Sequence, residues 1–215
     1  MEKKYILFDL DGTIVDSGEG IKNSIKYSLK KFGIEEKGDE VLNNFIGPPL
    51  ADSYMKYFNL NEQEADKIVQ IYREYYKDDG VYENKLYDGI VDVISELKLR
   101  GNNIFLATSK PLIFAKKVLE QHKLTSYFDF VAGATLDNKI SEKKDVIKYI
   151  IDSNTLKASN AYMIGDTKFD IYGGKFFNFK TIGVTYGYGS YEELKEYKAD
   201  FIVDSPKEIL EILEE

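Results

Sequence analysis

The chain has 215 residues, 29 basic against 37 acidic side chains for a formal charge of -8, one histidine, and neither cysteine nor tryptophan. The missing thiol excludes disulfides, cysteine nucleophiles, cysteine zinc sites and iron–sulfur clusters, and a single imidazole, His122, excludes multi-histidine metal sites. An acidic balance without a basic stripe argues against nucleic acid and anionic membranes as partners. With no stretch approaching the roughly 18–20 apolar residues of a membrane span and no signal-like apolar segment, the composition points to a cytoplasmic protein.

In chain order, residues 4–8, KYILF, read as a buried strand that empties into the acidic turn Asp9-Leu10-Asp11-Gly12-Thr13. From Gly18 to about Leu86 the text is helical and lacks a convincing strand. Ile21, Ile25, Leu29 and Phe32 share one face there, and Ile68, Val69, Tyr72, Tyr75 and Tyr76 another. Asn61 and Glu64 have the spacing of a capping box, and Ile46-Gly47-Pro48-Pro49 breaks the helical pattern. After Tyr87-Asp88-Gly89 a helix through Val93, Ile94 and Leu97 ends at Gly101. The apolar runs NIFLATSK (103–110), FDFVAGA (128–134), AYMIGD (161–166), KTIGVTYG (180–187) and DFIVD (200–204) follow, separated by amphipathic helical segments. Ser205-Pro206-Lys207-Glu208 then supplies an N-cap, a proline at the first helical position and a capping-box glutamate.

Alternating strands and helices predict an α/β fold, a Rossmann-like parallel sheet covered on both faces, interrupted by an all-helical insertion. The expected division is 1–15 with 86–215 as the core and 16–85 as the insertion. Ligands of such sheets bind beyond the carboxyl ends of the strands, so the residues after each apolar run are the candidates for chemistry. Those are Asp9 and Asp11, Thr108 and Ser109, and Asp166 and Asp170, with Lys143 in the first turn of a helix expected over 141–151. Carboxylates, a hydroxyl and an ammonium at one sheet edge suit magnesium and a phosphate group. Lys143 is notable because a cation in the first turn opposes the helix dipole. Blander readings exist for each: Lys143 and Lys144 as solvated lysines, Asp9 and Asp11 as turn residues, Asp166 as a helix cap, and Thr108-Ser109 as the cap of a helix that Pro111 starts.

Taken together, DLDGT at 9–13, TSK at 108–110, a lysine opening the helix at 143 and GDTKFD at 165–170 resemble the four ordered motifs of the haloacid dehalogenase-like hydrolases. IGPPL at 46–50, ATSKP at 107–111, KKDVI at 143–147 and IGVTYGYGS at 182–190 are similar to the phosphoglycolate phosphatase and 5'-nucleotidase-like branch, and the insertion matches that branch's helical cap.

The resemblance implies a magnesium-dependent phosphatase acting on a small phosphorylated metabolite, phosphoglycolate or a nucleoside 5'-monophosphate, as a monomer or homodimer. Asp9 would be the nucleophile that forms an aspartyl-phosphate, and Asp11 the acid and base. Metal ligands would come from Asp9, the Asp11 backbone carbonyl and Asp166, with Asp170 a further ligand or a support. Thr108, the backbone beside it at Ser109, and Lys143 would hold the phosphoryl oxygens, with Lys144 the neighbouring alternative. Gly47, Pro48 and Pro49 would form the loop that chooses the substrate. A phosphomutase or a pyrophosphatase of the same family is the alternative activity, and a binding module without catalysis is a third. The tyrosines of the insertion are expected to pack a core rather than stack a base. His122 is expected at the surface, stabilised by a helix C-terminus.

Overall fold

The structure is a computed structural model that describes residues 3–137 and 139–214. In chain order its strands are β1 (Tyr5–Phe8), β2 (Val15–Asp16), β3 (Lys85–Leu86), β4 (Asn103–Pro111), β5 (Phe130–Ala134), β6 (Ala161–Gly165), β7 (Lys180–Val184) and β8 (Phe201–Val203). The α-helices are α1 (Gly18–Phe32), α2 (Asp39–Asn43), α3 (Leu50–Phe58), α4 (Glu62–Tyr75), α5 (Ile90–Leu99), α6 (Leu112–Gln121), α7 (Lys143–Ser153), α8 (Lys168–Phe176), α9 (Tyr191–Glu196) and α10 (Pro206–Glu214). The chain divides into two compact units, Met1–Asp16 with Leu86–Glu215, and Ser17–Lys85.

The first unit is built on a six-stranded sheet in the order β5-β4-β1-β6-β7-β8, and every adjacent pair is parallel. Parallel strands need cover on both faces, which explains why the runs read as continuously apolar. Leu7, Phe105, Ala107 and Met163 pack on one face with Val146, Ile147 and Ile150 of α7. The alternate residues Ile6, Phe8, Ile104 and Leu106 point the other way and are fully buried as well. At roughly 1.5–3 kcal/mol for each large aliphatic side chain, these positions fix the sheet register. From β1 the strand order runs one way through β4 to β5 and then, after a crossover, the other way through β6 and β7 to β8, so the crevice that accepts ligands lies at the carboxyl end of β1.

The second unit carries α1 to α4, followed by a π-helical turn at Tyr76–Gly80. The capping box at Asn61 is formed in both directions, with Glu64 N–H donating to Asn61 Oδ1 at 3.0 Å and Asn61 N–H to Glu64 Oε2 at 3.0 Å. Its tyrosines make a core: Tyr54 is fully buried with its hydroxyl 2.6 Å from Ser28 Oγ, and Tyr72 stacks on Tyr76 at 5.3 Å.

Three local expectations are corrected. Pro111 ends β4 instead of starting a helix, because the strand runs on through Thr108-Ser109 and α6 begins at Leu112. The helix expected over 141–151 spans Lys143–Ser153, with Glu142 at its N-cap. His122 is the C-cap residue of α6 as expected, but it is half-buried and not at the open surface, and burial lowers its pKa.

Candidate active site

Asp9 is the first residue beyond β1, and its N–H donates to Ile164 O at 2.9 Å, which ties it to the neighbouring strand β6. One carboxylate oxygen, Oδ1, accepts from Leu10 N–H at 2.7 Å and forms an ion pair with Lys143 Nζ at 2.8 Å. Lys143 enters from the first turn of α7, buried to 4% exposure. Its ammonium also donates to Ala107 O at 2.8 Å and forms a second ion pair with Asp170 Oδ1 at 2.8 Å. Two carboxylates therefore offset the unfavourable helix dipole at this position. Lys144, by contrast, lies on the surface and pairs with Glu142 at 2.7 Å.

Asp166 follows β6, and Asp170 sits at the third position of α8. Asp170 Oδ2 accepts from Thr167 N–H and Oγ1, both at 3.0 Å, so this carboxylate caps the helix while its other oxygen meets Lys143. Thr167, and not Asp166, is the N-cap. Asp166 Oδ2 accepts from Tyr188 N–H at 2.8 Å, whereas its buried Oδ1 has no hydrogen-bond partner among the described residues. Gly12 makes this approach possible. It adopts φ +78°, and a Cβ there would stand 2.1 Å from Asp166 Oδ2.

Carboxylate oxygens of Asp9, Asp166 and Asp170 lie within 4.8 Å of one another, and all three residues are buried. Burial raises the Asp9 carboxyl to about 7 against the opposing pull of Lys143, with Asp170 and then Asp11 adding to the rise. Burial, then the charges of Asp170 and Asp9, push Asp166 well above the carboxylate range. For Lys143 burial works against the charge, but Asp170 and Asp9 outweigh it and the pKa rises. Three carboxylates beside one ammonium leave excess negative charge in a low-dielectric place, and two buried oxygens, Asp166 Oδ1 and Asp170 Oδ1, accept no hydrogen bond among the described residues. A divalent cation with oxygen preference fits both features.

The other candidates are placed as follows. Asp11's carboxylate stays out of the three-carboxylate cluster and instead pairs with Lys110 Nζ. Thr108 is buried at 1% exposure; its Oγ1 accepts from Lys110 N–H at 3.1 Å, so the hydroxyl proton stays available to a ligand. Ser109 beside it is half-buried. Gly47 and Pro49 are exposed and Pro48 half-exposed, in the second unit between α2 and α3. Sequence reasoning assigned no role to Lys110 or Tyr188. Lys110 stands inside the TSK motif as a charge closing an apolar strand, a signal for a buried partner. Tyr188 joins the centre through its backbone N–H, which no side-chain pattern announces. Its hydroxyl donates to Asp16 Oδ1 at 2.7 Å and that of Tyr186 to Thr13 O at 3.1 Å, which fasten this loop beside Asp166.

The family model described as haloacid dehalogenase-like hydrolase matches residues 6–184. A 5'-nucleotidase of Pseudomonas aeruginosa is 38% identical over 193 residues, 90% of this chain and 87% of that protein. A phosphoglycolate phosphatase of Vibrio parahaemolyticus is 28% identical over 98% of this chain and 96% of its own. Among solved structures, a predicted phosphatase from Clostridium acetobutylicum superposes with a TM-score of 0.95 at 49% identity, covering 100% of both chains.

Proposed function

Because the chain belongs to the haloacid dehalogenase-like hydrolase family, we propose that it is a magnesium-dependent phosphatase that hydrolyses a small phosphomonoester through an aspartyl-phosphate on Asp9. The observation that carries the reading is the buried group of Asp9, Asp166 and Asp170 with Lys143 among them. Asp9 Oδ1 is occupied by Lys143 and Leu10 N–H, and Oδ2 has no hydrogen bond among the described residues, which leaves it the oxygen for attack. In the first step a bond forms from Asp9 to phosphorus and the ester P–O bond breaks, while Asp11 gives its proton to the leaving oxygen. In the second step Asp11 takes a proton from water as the water oxygen attacks phosphorus, releasing phosphate and restoring Asp9. Thr108 Oγ1, the Ser109 backbone N–H and Lys143 donate to the phosphoryl oxygens, whose charge needs stabilising in both steps.

Asp9, Asp166 and the Asp11 backbone carbonyl would hold the cation, with Asp170 a further ligand or a support: its Oδ2 accepts from Thr167, while its buried Oδ1 faces Lys143 without a hydrogen bond. When bound, the metal supplies positive charge that lets an anionic ester approach an anionic nucleophile. The absence of cysteine and the acidic balance support a cytoplasmic setting, and no helix among the described residues is long and apolar enough to cross a membrane.

Of the two ester classes, the 38% identity to a 5'-nucleotidase over 90% of this chain favours a nucleoside 5'-monophosphate over phosphoglycolate. We assign the choice between them to the loop Gly47, Pro48 and Pro49 of the second unit, acting as a cap. The test is phosphate release from a panel of nucleoside monophosphates, phosphoglycolate, sugar phosphates and pyrophosphate, with magnesium titrated against a chelator. Metal-dependent release from monoesters is expected. Release from pyrophosphate alone, or none from any compound, would overturn the reading.

A further inference from the structure

Lys110 is a buried cation beside the site that the mechanism above leaves without a task. Its side chain is 4% exposed, and Nζ lies 2.7 Å and 2.8 Å from the two oxygens of Asp11. The backbone is shaped to put it there. Strand β4 pairs with β5 in register up to Thr108 opposite Gly133, and the next pair is Pro111 opposite Ala134. Ser109 and Lys110 are therefore accommodated on β4 against no additional residue of β5, a bulge of the kind that re-aims a side chain at a strand end. Thr108 Oγ1 accepts the Lys110 N–H at 3.1 Å and closes the bulge from inside. From the other side Gly133 leaves room for it, since a Cβ there would stand 2.7 Å from Lys110 O and 3.0 Å from Leu112 Cα.

We infer that Lys110 is a positioning residue, which grips the Asp11 carboxylate through both oxygens and holds it where it exchanges protons with the leaving oxygen and with water. This rests on the reading of Asp11 as the proton carrier. Stability alone is a poor reason for such a pair, because desolvation of two buried charges offsets much of their attraction. A lysine reserved for the phosphoryl group would be expected to aim at Thr108 and Asp9, whereas Nζ meets both Asp11 oxygens. A proton donor must sit within hydrogen-bond reach of the atom it serves, and a free carboxylate rotates about two bonds, so a fixed cation removes that freedom.

The experiment compares kcat/KM for an alkyl phosphate, whose leaving oxygen needs a proton, with that for 4-nitrophenyl phosphate, whose phenolate leaves without one. Wild type, Asp11→Asn, Lys110→Met and Gly133→Ala are measured with magnesium, each after its melting temperature is recorded. Gly133→Ala keeps both charges and crowds the bulge at Lys110 O and the backbone of Leu112 behind it, so it carries the test if Lys110→Met does not fold. Lys110→Met and Gly133→Ala are expected to lose about tenfold or more on the alkyl ester relative to the aryl ester, in the direction of Asp11→Asn, with the loss in kcat and KM nearly unchanged. Equal losses on both esters, or a loss confined to KM, would assign Lys110 to the phosphoryl group or to stability and overturn the inference. If Asp11→Asn itself shows no preference for the aryl ester, the role of Asp11 is wrong and the inference falls with it. If Asp11→Asn shows the preference and neither other variant does, only the inference falls.

Discussion

Stabilisation of this protein by magnesium should depend strongly on pH, and the site sets the size of the effect. Asp9 has its carboxyl pKa raised from 3.8 to about 7 in the folded protein without metal. A raised carboxyl pKa contributes stability that is present below the unfolded value and lost as pH rises through the folded one. The metal-free protein therefore loses the Asp9 contribution between about pH 4 and pH 7. A cation binds the ionised cluster, so at pH 5 it must first displace a proton held about two units above the ambient pH. That costs about 3 kcal/mol, at about 1.4 kcal/mol per unit, and Asp166 shifts in the same direction. At pH 8 the displacement is nearly free. With roughly 2–4 °C per kcal/mol for a chain of this size, the rise in melting temperature on adding magnesium should be about 6–12 °C larger at pH 8 than at pH 5. Surface ion pairs that lower Asp39, Glu74, Asp129 and Asp200 change stability in the opposite direction, but they cancel when each pH is measured with and without metal. Differential scanning fluorimetry at both pH values with chelator and with saturating magnesium is the assay. An increment equal at the two pH values, or larger at pH 5, would refute the reasoning.

Asp166→Ala should lose magnesium affinity and regain part of its activity at high metal concentration, whereas Asp11→Asn should lose about 10²–10⁴-fold on an alkyl ester at any concentration; titration of both variants separates the two roles, and a matching response would contradict it. Gly12→Ala should weaken metal binding more than it lowers the melting temperature without metal, because the new methyl group would meet Asp166 Oδ2; calorimetric titration with magnesium checks this. Pro48→Ala should change the ratio of kcat/KM between a nucleoside monophosphate and phosphoglycolate while leaving that for an aryl phosphate within about twofold. Equal losses on all three would exclude the loop from substrate choice.

Much of this arrangement was legible because parallel strands, buried on both faces, print themselves as unbroken apolar runs such as Tyr5–Phe8 and Ala161–Gly165, and whatever follows them must lie at one sheet edge. Lys143 was conspicuous for an electrostatic reason, a cation where the helix dipole disfavours one, and Asp9 and Asp170 supply the compensation. The path of β4 was harder to read. Proline is a common helix starter, and only pairing with β5 carries the strand through Pro111 and creates the bulge that turns Lys110 inward. Asp170 was visible as a carboxylate near the end of a strand, but its double employment, as a helix cap and as a partner of Lys143, was not. The contact from Tyr188 N–H to Asp166 belongs to the backbone and depends on a loop whose shape follows from packing, so no residue type marks it.

The central claim is that Asp9 becomes phosphorylated during turnover. Acid quench within the first turnover, with ester labelled in its phosphoryl group, followed by proteolysis and mass spectrometry, tests it most directly. Label should appear on Asp9 as an acid-stable, base-labile acyl-phosphate and be absent from Asp9→Asn, which should fold but not turn over. Label on a serine, threonine or histidine, or phosphate release by wild type at full rate with no labelled protein at any quench time, would contradict the account.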